Sequence, residues 1–176
     1  EMYLGGRETN KHHSKKTEGT QGHSTKTKTP IFGMVQRDGL VHALKVTDTK
    51  ASTLMPIIKQ FCKENAHFFT DELTSYSSLD REGMKHSVIE HGKKEFSKDG
   101  ITTNSIEGFW GHFKRMVFGT YHFVSKDYVQ RYLDEAVYRY NTRKADESAR
   151  FADMFCKSIG IVSYSDVKVI KQGIAA

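Results

Sequence analysis

Cysteine is nearly absent from the 176 residues: Cys62 and Cys156 are the only two. Two thiols build neither a disulfide framework nor a four-cysteine zinc site, and such sparing use fits a reducing, intracellular setting. Proline is equally scarce, at Pro30 and Pro56, which leaves room for long helices. No apolar run approaches the roughly 18 residues that a membrane-spanning helix needs. No charged-then-apolar segment opens the chain as a secretion signal would. The longest absence is internal. From Gly5 to Thr29, 25 consecutive residues contain no Ala, Val, Ile, Leu, Met, Phe, Trp, Tyr or Cys. Such a segment has nothing with which to join a core. It carries Arg7, Lys11, Lys15, Lys16, Lys26 and Lys28 against only Glu8 and Glu18. Residues 5–29 therefore read as a mobile basic loop, either a DNA-contacting arm or a solvated connection. His12, His13 and His23 lie in it without the fixed surroundings that metal ligation requires.

What remains suffices for one core. The chain is 20.1 kDa and 37% hydrophobic, which is one domain's worth of material. Lys and Arg total 27 against 21 Asp and Glu, a net +6, and such a surface attracts a polyanion. Between Lys93 and Lys144 there are ten Lys or Arg and six Asp or Glu, so most of that excess lies in the second half. The chain starts at Glu1 rather than Met and reads as a piece of something longer.

Period-two and period-3.6 patterns alternate through the first half. Met2-Tyr3-Leu4 reads as the end of a strand. Ile31 to Gln36 and Leu40 to Val46 read as two strands around an Asp38-Gly39 hairpin turn, with Gly39 the residue suited to positive φ. Asp48 or Thr49 caps a helix through about Phe61, with Leu54, Ile57, Ile58 and Phe61 on one face and Pro56 as a kink or a late start. Ala66 to Thr70 and His86 to Ile89 are short strands flanking a helical turn at Ser75 to Leu79. Thr103-Asn104 opens a helix to about Val117 whose stripe is Ile106, Phe109, Trp110, Phe113 and Val117. Ser125 caps another helix, which faces Tyr128, Val129, Tyr132, Leu133, Ala136, Val137 and Tyr140 inward. A short helix follows at Arg150 to Ser158. The expected fold class is α/β: a mixed sheet flanked by helices, with a helical C-terminal half.

Two carboxylates stand where chemistry is placed. Asp71 directly follows an apolar strand, and the C-terminal lip of a strand is where α/β sheets hold ligands. Glu107 lies in the first turn of the Asn104 helix, with 35 residues between it and Asp71. Lys114 follows it by seven, two helical turns, so both project from one face with Gly111 between them. Carboxylates drawn from distant chain positions suit phosphodiester chemistry through two Mg²⁺ ions, which take hard oxygen ligands. A lysine beside them suits a phosphate of the bound strand. The structural alternatives stay open at this point. Asn104-x-x-Glu107 is also a capping box, Asp71 also a helix cap, and Lys114 also a solvated charge. Asp48 reads as a cap, Asp134 as a helix-surface charge, His86 and His91 as strand and loop surface, and Cys62 as a buried helix residue. Phe109, Trp110 and Phe113 read as core.

The chain resembles a known family in several words at once. Glu1-Met2-Tyr3-Leu4-Gly5-Gly6-Arg7 with Asn10-Lys11-His12 is similar to the start of the DDE transposase domain of ISXO2-like insertion sequences. Lys28 to Val35, Thr70-Asp71-Glu72 with Tyr76, and Thr103 to Trp110 are similar as well. So are Gly119 to His122, Arg131 to Glu135 and Arg139 to Arg143. The resemblance covers about residues 1–145, leaving 146–176 as a C-terminal extension. It implies a ribonuclease-H-like fold and a DDE triad that binds two Mg²⁺ or Mn²⁺ ions. It also implies cleavage at transposon ends followed by transfer of the 3′-hydroxyl into target DNA. By position, Asp71 is the second acid, Glu107 the third, and Lys114 the basic residue seven beyond it. Family members often carry Asp-Glu at the start, so the first Asp is expected immediately before Glu1. Some relatives replace the third acid by Asn, which makes Asn104 an alternative. Glu90-His91 stands where Asn-His is expected.

The resulting expectation is a DDE transposase catalytic domain acting on double-stranded DNA, as a homo-oligomer in a synaptic complex. Lys114, Arg115 and His112 are the leading DNA contacts, with Lys11, Lys15 and Lys16 as a mobile arm. An inactive, domesticated DNA binder and a metal-dependent nuclease on the same fold are the alternatives.

Overall fold

The computed structural model describes residues 1–6, 8–18, 20, 24–63, 65–89 and 102–157. Its centre is an antiparallel three-stranded sheet of β1 (Met2–Leu4), β2 (Thr29–Val35) and β3 (Val41–Lys45), in the order β1-β2-β3. Met2 pairs with Ile31, and Ile31 with Lys45. The β2–β3 turn closes through Gly39 N–H to Gln36 O (3.0 Å) and Gln36 N–H to Leu40 O (2.8 Å). Its positive φ falls on Asp38 (55°) and not on the expected Gly39; a short polar side chain tolerates the left-handed region.

Alternation along β2 sends successive side chains to opposite faces, and each face acquires a layer. Ile31 joins Val41, Met2 and Leu4 beneath two helices, α3 (Asn104–Arg115) and α4 (Val129–Asn141). Phe32 joins Val46 beneath α1 (Ala51–Phe61), with Leu54, Met55 and Ile58, and beneath Tyr76 and Leu79. The expected stripe of α3 is confirmed: Phe109, Trp110, Phe113 and Val117 are all buried. Pro56 sits inside α1, which begins at Ala51. Asp48 stabilises that start by accepting from Lys50 N–H (2.9 Å) and Thr53 Oγ1 (2.7 Å). The Thr53 bond is the main cause holding its carboxyl below the ordinary range.

A second sheet is parallel, β4 (His67–Thr70) with β5 (Lys85–Val88), connected through a 3₁₀ turn Thr74–Tyr76 and α2 (Ser77–Arg81). The architecture is mixed α/β, as expected, but among the described residues the strands pair as two small sheets and not as one. β1, at three residues, offers little ladder on its free side.

Three local expectations are corrected. The helix after α3 starts at Val129 with Tyr128 at its cap position; Ser125 caps nothing, and its buried Oγ has no partner. α3 passes at Met116 into a π-helical turn, Met116–Tyr121, closed by His122 at φ 59°. The last helix, α5, spans Glu147–Lys157. Cys62 is half-buried at the end of α1, with Sγ 3.7 Å from Met34 Sδ, and burial raises its thiol above the ordinary range. Within 5–29, short 3₁₀ turns form at Glu8–Asn10 and His13–Lys15. Arg7, His23, Glu90, His91 and residues 158–176 lie outside the described residues.

α4 also seals the sheet edge. Asn141 accepts from Val41 N–H (2.7 Å) and donates to Val41 O (3.0 Å), and Gln130 accepts from Lys45 N–H (2.7 Å). These amides satisfy backbone groups that an open edge would expose to pairing with another chain.

Candidate active site

Asp71 follows the last residue of β4. Its Oδ1 accepts from Leu73 N–H at 3.3 Å, a local turn in which the short carboxylate bonds its own backbone two residues on. The backbone here is braced from the neighbouring strand. Thr70 Oγ1 donates to Asp71 O (2.9 Å) and lies 2.8 Å from His86 Nε2. His86 Nδ1 lies 3.1 Å from Asp80 Oδ2. The His86 side chain is 2% exposed, so it is not the strand-surface residue expected. It is an internal brace between α2, β5 and the end of β4.

Tyr76 brings a second carboxylate to this place. Its hydroxyl donates to Glu1 Oε2 (3.1 Å). Burial first, then the negative charges of Glu1 and Asp71, hold that phenol far above its ordinary range. The residue before β1 and the residue after β4 therefore act on one hydroxyl, although the strands belong to different sheets.

Glu107 is exposed on the first turn of α3. Thr103, not Asn104, occupies the cap position and makes no side-chain cap bond. Thr103 Oγ1 instead donates to Glu107 Oε1 (3.0 Å), and Asn104 lies inside the helix and not at the cap position that the alternative capping-box reading gave it. Lys114 is exposed two turns further on. A Cβ built on Gly111 between them would meet only Arg115 Nη1, at 3.6 Å, so that part of the helix surface is open. The height of α3 over the sheet is set by Gly33. A Cβ there would stand 2.6 Å from Trp110 Cη2 and 2.7 Å from Cζ2. The indole lies directly on the backbone of β2 and fixes the helix turn that carries Glu107.

Asp71 and Glu107 offer the hard carboxylate oxygens that Mg²⁺ and Mn²⁺ prefer. Among the described residues, no three His, Cys, Asp or Glu side chains come together as a metal-holding group. Arg115 and His112 line a cleft between α3 and α4, and the Arg115 guanidinium also reaches the helix surface at Gly111, between Glu107 and Lys114. Lys15 and Lys16 are exposed, and Lys11 half-buried, in the 3₁₀-containing segment after β1.

The ISXO2-like transposase domain matches residues 1–141. The chain belongs to the ISXO2-like transposase family. An uncharacterized transposase-like protein of Haemophilus influenzae is 31% identical over 101 residues, 57% of this chain and 80% of that protein. No solved structure matches the chain. Family membership makes this a transposase domain in general terms, with DNA as its partner. No helix among the described residues is long and apolar enough to cross a membrane.

In this transposase domain, sequence reasoning missed two supports of the site. His86 sits in a four-residue strand, and four residues are too few to show which face is buried. Gly33 carried a signal: a glycine between Phe32 and Met34 marks a strand position where something approaches closely.

Proposed function

We propose that the chain is the catalytic domain of a DDE transposase with a ribonuclease-H-like fold, cutting transposon ends and transferring the 3′-hydroxyl into target DNA. The convergence of Glu1 and Asp71 on the Tyr76 hydroxyl, within a chain of this family, carries the reading. It brings the start of β1 and the turn after β4 to one place. Glu107 is the third acid.

Asp71 and Glu107 would hold two Mg²⁺ or Mn²⁺ ions, which when bound supply charge stabilisation at the attacking and leaving oxygens of a phosphodiester. The protein's own share is orientation. His86 and Thr70 fix the backbone of Asp71, Thr103 restrains Glu107, and Trp110 against Gly33 sets the level of α3. Lys114 donates hydrogen bonds to a phosphate of the bound strand. Lys11, Lys15 and Lys16 contact flanking DNA, and the domain works in a homo-oligomeric synaptic complex.

A pre-cleaved transposon end with a free 3′-hydroxyl separates this reading from a nuclease on the same fold. With Mg²⁺ and a supercoiled target plasmid, the full-length protein is expected to join the end covalently to the target, seen as labelled plasmid on a gel. Nicking of the plasmid without joining would assign hydrolysis alone, and no reaction at all would favour a DNA binder.

A further inference from the structure

The brace behind Asp71 can be counted proton by proton. Thr70 Oγ1 lies 2.9 Å from Asp71 O and 2.8 Å from His86 Nε2, and His86 Nδ1 lies 3.1 Å from Asp80 Oδ2. A carbonyl oxygen and a carboxylate only accept. The one hydroxyl proton of Thr70 therefore goes to Asp71 O, and the bond at Nε2 has to be donated by the ring. The bond to Asp80 has to be donated by the ring as well. Three bonds need three protons, whereas the hydroxyl and a neutral imidazole carry two. The third belongs on the ring, because imidazole is a stronger base than a carboxylate. The surroundings suit a cation. The His86 side chain is 2% exposed and the Asp80 side chain 62%, so the ring is shielded while its counter-charge stays in water. Alternation in the β4–β5 pair puts Thr70 and His86 on one face, with His67 and Lys85 on the other. From the elements packed on the His86 face come Asp80 of α2, Asp71, and Tyr76, whose hydroxyl donates to Glu1. Glu82, beyond α2, is paired with Lys59 of α1 (2.7 Å), Arg81 is exposed, and Cys62 joins the apolar cluster with Phe68.

We propose that this relay is a proton switch: Thr70 holds the Asp71 carbonyl only while His86 carries a proton on both ring nitrogens. When rising pH removes the Nε2 proton, Nδ1 keeps its own for Asp80 and Nε2 becomes an acceptor. The Thr70 hydroxyl then turns to the ring and releases Asp71 O. The relay closes toward low pH and opens toward high pH. The switch stands on these three bonds; only its effect on DNA cleavage rests on Asp71 being catalytic.

Nuclear magnetic resonance of the full-length protein, with isotope-labelled histidine and aspartate, reads both ends of the relay across a pH series. In the parent, the Nε2 shift of His86 is expected to pass from the protonated to the unprotonated range as pH rises, and the Asp71 carbonyl shift to change with it. Thr70→Val removes the hydroxyl, so the ring still titrates and the carbonyl no longer follows. Asp80→Asn, at an exposed position, uncouples the switch differently. Its new amide can donate to Nδ1, a neutral ring with its proton on Nε2 then satisfies all three bonds, and the carbonyl stays in its bonded state throughout. A Nε2 that keeps one state wherever the protein is folded overturns the proposal. So does a carbonyl that ignores the ring in the parent, or one that follows it equally in Thr70→Val or Asp80→Asn. Single-turnover cleavage is expected to fall as the carbonyl is released, and to fall less steeply in Asp80→Asn. Ring and carbonyl coupled without that fall would count against the catalytic role of Asp71 and leave the switch standing.

Discussion

Asp71→Asn in the full-length transposase lowers single-turnover strand cleavage by at least three orders of magnitude and changes DNA affinity less than twofold. Asparagine keeps the size of the side chain and an oxygen for the Leu73 N–H, so the turn after β4 survives. What disappears is one negative charge. Metal-assisted phosphodiester chemistry places several kcal/mol on such charges, and three orders of magnitude correspond to about 4 kcal/mol of barrier. DNA affinity rests mainly on cationic side chains and phosphate neutralisation, which the substitution leaves alone. Cleavage within tenfold of the parent would remove Asp71 from the reaction.

Gly33→Ala tests whether packing places α3. The added methyl would stand 2.6 Å from the Trp110 ring, closer than non-bonded carbon atoms tolerate. Trp110 is 6% exposed and packed among Phe109, Val41 and their neighbours, so the ring has nowhere to swing. Overpacking of this kind costs typically about 1–3 kcal/mol. The expected result is a lower melting temperature together with a loss of cleavage larger than the unfolded fraction explains, because α3 must lift. Gly108→Ala is the control. Nothing lies within 4 Å of its added Cβ, and replacing glycine in a helix interior is worth roughly 0.8–1.0 kcal/mol, so it raises stability. A parent-like melt for Gly33→Ala would show that α3 is positioned by something else.

Much of the fold was legible because long patterns leave little choice. The stripe Ile106, Phe109, Trp110, Phe113 and Val117 suits a helix only, and the runs around Asp38-Gly39 suit a hairpin. The misses are local, where several conformations serve one pattern. Asp38 rather than Gly39 took the positive φ because both residues tolerate it. A serine four residues before a helix resembles a cap, yet the Ser125 hydroxyl turned inward. The π-helical turn leaves no mark in period, since Val117 stays buried either way. The separation into two sheets was invisible because side-chain alternation marks a strand without saying which strand it pairs with. Of the candidate site, residue type and position pointed to Asp71, Glu107 and Lys114. The braces were not visible, because Tyr76 to Glu1 and His86 to Thr70 are contacts across long stretches of chain.

The most direct test asks whether Asp71 and Glu107 serve one metal centre. Mn²⁺ binding to the full-length protein, followed by loss of the free-ion electron paramagnetic resonance signal, is measured for Asp71→Asn, Glu107→Gln and the double variant. Ligands of a shared centre are not additive. Each single substitution should weaken binding at the affected site at least tenfold, with the double variant little worse than either. Parent-like Mn²⁺ affinity in Glu107→Gln, or two fully independent losses, would contradict a shared centre.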